Sequence, residues 1–270
     1  MPPSRPRRRL DAELVRRGLA PTRERAQAEI DAGRVLVDGA PAAKASRLVD
    51  PADPIVLAGP PAKFVSRGGE KLDAALENFA VPVAGRRVLD AGASTGGFSD
   101  CVLQRGAASV VAVDVGYGQL HERIRRDPRV EVRERVNVRT LEPGDIDPPP
   151  DLVVADLSFI SLRTVVPALL GAAAPAADLV VLVKPQFEVG REVASRGRGV
   201  IREPADRASA LTGVGAALEA AGATIMGAMV SPLRGADGNV EFLLHAVAPP
   251  GPAAPPAPVE LQALALATAP

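Results

Sequence analysis

Apolar positions are spaced differently in the two parts of the chain. Between residues 10 and 58 they are sparse. Leu10, Leu14 and Val15 recur at helical spacing, Gly18 and Pro21 interrupt the pattern, and Thr22 can cap a second helix running to about Ala32. Arg34 to Gly39 predicts a short strand closing in an Asp-Gly turn, and 53–57 a return strand. Residues 59–65, opening with Gly59-Pro60-Pro61, read as a linker. From about residue 86, short apolar runs alternate with longer mixed stretches. The runs predict strands over 87–91, 109–114, 130–134, 152–157, 179–184, 224–230 and 240–247, with helices over 97–106, 117–126, 162–173 and 205–221. Such alternation implies a doubly wound parallel sheet. Only the turn-rich Ser231 to Asn239 separates the last two strands, so they are expected to pair antiparallel. The expected fold class is α/β, six parallel strands with one antiparallel insertion, behind a small N-terminal α+β domain. Residues 249–270 are rich in Pro and Ala and are expected to be disordered apart from a short helix near 259–267.

Composition changes this picture in three ways. The chain has 270 residues, 47% of them hydrophobic, and a formal net charge of zero, yet residues 1–60 carry 11 Lys+Arg against 8 Asp+Glu. A basic front suits a polyanion partner. Arg7, in a basic N-terminal tail over residues 1–9, and Arg16, Arg17, Arg23, Arg25 and Arg34 are its candidate contacts, with Arg67 further along. The single cysteine, Cys101, rules out an intrachain disulfide and fits a reduced, cytoplasmic setting. No apolar run follows the polar Pro2 to Arg9, so no signal peptide is expected. The most membrane-like stretch, Thr164 to Val183, contains Pro167, Pro175 and Asp178 and reads as a core helix and strand, with no stable membrane insertion. His121 and His245 have no partners at ligand spacing, so no metal is expected. Finally, the basic residues are nearly all arginine. Only Lys44, Lys63, Lys71 and Lys184 are lysine, which points to positions needing a compact, titratable amine.

Two constellations carry chemistry. Arg87 to Phe98 is a strand, a glycine-rich turn and a helix start, in which Gly92, Gly96 and Gly97 would let a ligand approach the backbone, flanked by Ser94, Thr95 and Phe98. Asp90 puts an anion where a pyrophosphate would be repelled, favouring an aminoacyl sulfonium, S-adenosylmethionine, over a dinucleotide. Asp114 ends the next strand, where a carboxylate can accept both ribose hydroxyls, with Val115 and Tyr117 following. The second constellation is Lys71, Asp156, Lys184 and Glu241. The last three sit at strand ends on one edge of the predicted sheet, and Lys71 lies in the first turn of a helix preceding it. Two amines and two acids meeting there suit removal of a proton from a hydroxyl as it attacks a methyl group. Which lysine is the base is open, with Lys184 favoured. Phe159, next to Asp156, is the best of the aromatics for stacking on a ligand; Phe98, Phe187 and Phe242 are better placed for packing. The glycine-flanked Arg191, Arg196, Arg198 and Arg202 read equally as an RNA clamp and as a solvated loop.

Residues 10–58 resemble the S4 RNA-binding domain at Leu10-Asp11, Leu14, Gly18-Leu19-Ala20, Arg23, Ala26, Ile30, Gly33, Val35, Val37-Asp38-Gly39 and Lys44. The whole of 10–247 resembles the TlyA family, in which an S4 domain precedes an FtsJ-like class I methyltransferase domain, here 66–248. The likeness is most specific at Ser66-Arg67-Gly68, Asp90 to Phe98, Asp114 to Leu120, Ala155 to Ser161, Lys184 to Gly190 and Ser231 to Glu241. The resemblance implies a Lys-Asp-Lys-Glu tetrad at Lys71, Asp156, Lys184 and Glu241, with S-adenosylmethionine as cofactor. It also implies methylation of cytidine 2′-hydroxyls in 23S rRNA and, in longer members, 16S rRNA, with rRNA or ribosomal subunits as partners. Ala62-Lys63-Phe64-Val65 stands where some relatives have Arg-x-Trp-Val, and the Pro/Ala tail replaces a helical C-terminus. The competing readings are an RNA base methyltransferase, whose catalytic cysteine or Asn/Asp-Pro-Pro-Tyr motif is missing; a haemolysin, a name this family often carries; and an RNA-binding assembly factor without catalysis.

Overall fold

The computed structural model describes residues 7–31, 33–42, 44–59, 63–252 and 257–268, and the chain divides into two compact units, 1–62 and 63–270. In the first, β1 (Arg8–Arg9) leads into α1 (Leu10–Arg16) and α2 (Arg23–Asp31), followed by β2 (Val35–Val37), β3 (Ala40–Pro41), β4 (Leu48–Val49) and β5 (Ile55–Leu57). Strands β3, β2 and β5 form an antiparallel sheet in that order, and β1 pairs with β4. Asp38 and Gly39 both have positive φ, the backbone that a two-residue hairpin requires, so the predicted turn joins β2 to β3. Leu10, Leu14, Ala26, Ile30, Val35, Val37 and Val49 form a small core. The reading of 1–9 as a tail is corrected at its end: Arg8 and Arg9 pair with Val49 and Leu48, while 1–6 lie outside the described residues.

The second unit is built on a seven-stranded sheet: β6 (Arg87–Ala91), β7 (Ser109–Asp114), β8 (Val130–Glu134), β9 (Leu152–Ala155), β10 (Asp178–Val183), β11 (Thr224–Val230) and β12 (Phe242–Val247). The order is β11-β12-β10-β9-β6-β7-β8, parallel throughout except for β12. Its central strands β6, β7, β9 and β10 are apolar along most of their length because both faces are covered. Leu89, Val111, Val153 and Val181 face α6 (Leu162–Ala172) and α9 (Pro204–Ala220). Their neighbours Val88, Val110, Val154 and Val180 face α3 (Arg67–Asn78), α4 (Gly97–Gln104) and α5 (Glu122–Arg125). Two short helices, α7 (Pro185–Glu188) and α8 (Arg191–Arg196), follow β10, and α10 (Leu261–Leu266) lies near the C-terminus. Thr164 to Val183 divides between α6 and β10, and among the described residues no helix is long and apolar enough to cross a membrane.

The structure corrects several boundaries. Strand 152–157 stops at Ala155 and strand 240–247 starts at Phe242, leaving Asp156 and Glu241 just outside the sheet. Helix 117–126 shrinks to α5, because Gly118 takes a positive φ and His121 caps the helix at Arg123 N. The last residues of the expected linker, Phe64 and Val65, are buried in the second unit's core; residues 60–62 lie outside the described residues. The short helix expected near 259–267 is α10, which packs on α9 and β11 with Ala265 fully buried. Apolar Leu261 and Leu264 hold it there.

Candidate active site

The C-terminal ends of β6, β7 and β9 open onto a cavity of about 570 Å³ lined by Gly92, Ser94, Asp114, Asn137, Asp156 and Phe159, among others. A second, of about 100 Å³, is lined by Ser66, Gly68, Lys71, Thr95, Phe98 and Asp156. Asp156 is on both walls. The four predicted catalytic residues are brought together as two ion pairs rather than one cluster. Lys71, buried on α3, bonds Glu241 Oε2. Lys184 Nζ lies 2.6 Å from Asp156 Oδ1 and donates to Ser158 Oγ at 2.9 Å. Lys71 sits in the second turn of α3, not the first, where its amine reaches the start of β12. Each lysine thus pairs with its own acid.

The turn after β6 follows the expected path for a different reason. A Cβ on Gly92 would come within 2.6 Å of the Asp156 carbonyl oxygen, one on Gly96 within 2.9 Å of Leu120, and one on Gly97 would strike Ser66 Oγ. These glycines let strands and helices of the protein approach one another; Gly92 alone also borders the larger cavity. Gly96, with φ of 92°, also supplies the left-handed start of α4. Asp90 does not reach either cavity. It is fully buried beneath the turn, accepting from Ser99 Oγ at 2.6 Å, and its Oδ1 has no partner. Burial, with Asp156 and Asp114 adding repulsion, pushes its carboxyl up to about 7. Phe98 is buried core, as is Phe242.

Asp114 borders the larger cavity and accepts from Ser94 N at 2.8 Å and Gly116 N at 2.6 Å. It caps no helix. A phosphate would need that Ser94 N–H, and the carboxylate already occupies it. Val115 and Tyr117 are exposed beside it, Tyr117 under the Arg135 guanidinium. Phe159 is 93% exposed, holds a positive φ of 63°, and stacks at a tilt on Phe187 with ring centroids 5.2 Å apart. A bulky residue in that conformation is costly, and such strain persists at sites the surrounding structure over-determines. Here Glu188 supplies the constraint, binding Ser161 Oγ at 2.5 Å and Leu162 N at 2.7 Å and so tying the segment after Lys184 to the one after Asp156.

Sequence reasoning missed Ser158, Glu188, Asn137 and Gln119. The rule that ligands sit beyond the carboxyl ends of parallel strands points to Asn137 after β8 and Ser158 after β9. Nothing local marks Glu188 or Gln119.

The basic surface of the first unit differs from expectation. Arg17, Arg25 and Arg34 are largely covered. Arg17 pairs with Glu13 at 2.8 Å and Arg25 with Glu29 at 3.0 Å, while Arg34 pairs with the same Glu29. Arg16 and Arg23 are about half exposed and pair with Glu13 and Asp11. Arg7 is exposed, as are Lys44 and Arg47, which the arginine reading did not include. Arg67, in the second unit, donates to the Arg234 carbonyl at 2.7 Å. His245 pairs with Asp178 at 2.7 Å, remote from both cavities. Among the described residues no group of His, Cys, Asp and Glu is placed to hold a metal.

Residues 64–247 match the family model for FtsJ-like methyltransferases, and residues 8–55 that for the S4 domain. This chain belongs to the FtsJ-like methyltransferase family. It is 54% identical, over 88% of its own length and 89% of the relative's, to the 16S/23S rRNA (cytidine-2'-O)-methyltransferase TlyA of Mycobacterium tuberculosis. It is 37% identical, over 88% of its length and 98% of the relative's, to Hemolysin A of Brachyspira hyodysenteriae. A solved protein of Streptococcus thermophilus that carries a hemolysin name superposes with a TM-score of 0.76 at 38% identity, covering 96% of this chain and 94% of that one. The S4-plus-FtsJ architecture expected from sequence is therefore that of this chain.

Proposed function

We propose that the protein transfers a methyl group from S-adenosylmethionine to the 2′-hydroxyl of a ribose, that of a cytidine, in ribosomal RNA. The observation that carries this reading is that Asp156, paired with Lys184, borders both a cavity large enough for a nucleoside and the smaller one that Lys71, paired with Glu241, also lines. The residues present fit the cofactor. Asp114 offers carboxylate oxygens to ribose hydroxyls, Asp156 offers an anionic wall to a sulfonium, and Ser94, Val115 and Phe159 border the same space. When bound, S-adenosylmethionine supplies an electrophilic methyl group. A ribose hydroxyl is a weak nucleophile and must lose its proton as it attacks. Lys184 in its neutral amine form takes that proton, and Asp156, 2.6 Å away, stabilises the cation so formed. The buried Lys71–Glu241 pair holds α3 against the start of β12 and keeps Lys71 on the wall of the smaller cavity. Holding the hydroxyl in line contributes more than proton transfer alone. The S4 unit, through its exposed cations, supplies RNA affinity.

Lys184→Ala tests this reading. Ribose methylation of rRNA, scored as resistance to alkaline cleavage, is expected to fall by roughly 10²–10⁴-fold while cofactor binding, measured by calorimetry, is retained. Unchanged methylation refutes the assignment. Methyl groups that leave the RNA cleavable refute the ribose reading and favour a base.

A further inference from the structure

The segment from Arg191 to Glu203 does not behave as a loose loop. It begins seven residues after Lys184, forms α8, and then turns through Gly197 to Gly199. Asn239 moors it. This side chain is 1% exposed, accepts from Ile201 N at 2.8 Å and donates to the Gly199 carbonyl at 2.8 Å. Asn239 stands two residues before Glu241. The segment is therefore tied to the chain on both sides of the active site, after Lys184 and before Glu241.

Several arginines elsewhere in the unit are neutralised, whereas the exposed Arg135 and Arg139 have no ion pair among the described residues. Arg86, Arg105, Arg123, Arg125 and Arg129 each have a carboxylate partner. Arg196, Arg198 and Arg202 are exposed, and among the described residues none has an ion-pair partner. Arg198 holds a positive φ of 52°, a conformation non-glycine residues seldom take without an external constraint. Three unneutralised guanidiniums within seven residues, fixed in place beside the catalytic edge, are the electrostatic footprint of a polyanion. A side chain that only solvates a loop has no need of a buried asparagine to fix the backbone beneath it.

We infer that Arg196, Arg198 and Arg202 form a moored rail for RNA phosphates flanking the target nucleotide, so that one element of the catalytic domain grips the strand it modifies. The inference rests on the methyltransferase reading above and names the surface by which that domain holds its substrate. The guanidiniums take successive phosphates of a single strand; Asn239 sets their position relative to Glu241.

Salt dependence tests the rail. Each phosphate neutralised contributes about 0.7–0.9 to the slope of log affinity against log salt. The triple variant R196A/R198A/R202A in the full chain, assayed on rRNA, is expected to flatten that slope by about 2 to 3. It should raise the KM for RNA roughly tenfold or more, far more than it lowers the rate at saturation, with S-adenosylmethionine affinity unmoved. The triple lysine variant R196K/R198K/R202K keeps the charge and should restore the slope. An alanine variant with the wild-type slope overturns the rail, as does a lysine variant as flat as the alanine one, which marks a structural role. Loss of binding to vesicles of anionic lipid with the RNA slope intact also overturns it, in favour of a membrane surface. If the wild type itself leaves no ribose methyl, the methyltransferase reading fails first; wild-type methylation with an unaltered slope removes the rail alone.

Discussion

The two units use ionisable residues in opposite ways. In the S4 unit every buried acid is surrounded by arginine: Asp11 by Arg9 and Arg23, Glu13 by Arg16 and Arg17, Glu29 by Arg25 and Arg34. Hydrogen bonds from Arg16, opposed by burial and reinforced by Arg17, hold the Glu13 carboxyl down at about 2. At the active-site edge of the methyltransferase unit, Asp156 and Glu241 pair with lysines, but Asp90 has no ion pair. Asp90 lies near Asp156 and Asp114, and burial pushes it up to about 7. The contrast follows from core size. The S4 core is a handful of aliphatic side chains, and ion pairs close the gap that apolar burial leaves. The sheet of the second unit is packed on both faces, so its functional edge can hold an orphaned carboxylate oxygen. Arginine count alone therefore overstates the free positive charge of the first unit, because several of its guanidiniums pair with its own acids.

The comparison is broken most forcefully at Asp90. Its carboxyl is raised in the folded state, so the stability linked to it is fully present below the ordinary carboxylate pKa and is lost as pH rises through about 7. Asp90→Asn cannot ionise. Thermal melts should coincide with the wild type below about pH 4, favour the variant progressively as pH rises to about 7, and hold a constant difference above it, on the order of a few kcal/mol. A difference independent of pH would remove the crowded-acid picture.

Glu13→Ala attacks the other side. It leaves Arg17, which is mostly covered, without its carboxylate, at a cost of about 2 kcal/mol, or roughly 10 °C in the melting of a domain this small. Hydrogen exchange should quicken in residues 8–58 and stay unchanged in 66–248. Equal protection in both would mean that the ion pairs are ornamental and the small core suffices.

The smallest expected effect is at Ser158. An amine held by both Asp156 and Ser158 has its remaining direction defined. Ser158→Ala loosens that aim and should slow methylation five- to tenfold, about 1 kcal/mol, with Thr restoring the rate. A full-rate alanine variant would mean that Asp156 alone positions Lys184.

Much of the fold was legible because its causes are local. The Asp38-Gly39 hairpin follows from two residues that tolerate positive φ, and strands such as Val110 to Val113 announce themselves because burial on both faces demands an unbroken apolar run. The positions of Asp114, Asp156, Lys184 and Glu241 at strand ends were likewise readable, since strand polarity places those ends on one edge. Some errors were also local in origin. The helix expected at 117–126 ran through Gly118, and the strand expected at 152–157 ran past Ala155.

Sequence by itself determined the order of elements, the edge at which chemistry can occur and the residue types available there. Only the tertiary structure decided which amine answers which acid, which arginines remain unneutralised, and that the glycines of the turn serve packing. The reason is physical: periodicity and turn chemistry act over a few residues, whereas an ion pair such as Lys71 with Glu241 joins side chains 170 residues apart, and its partner is fixed only when the whole sheet has assembled around it.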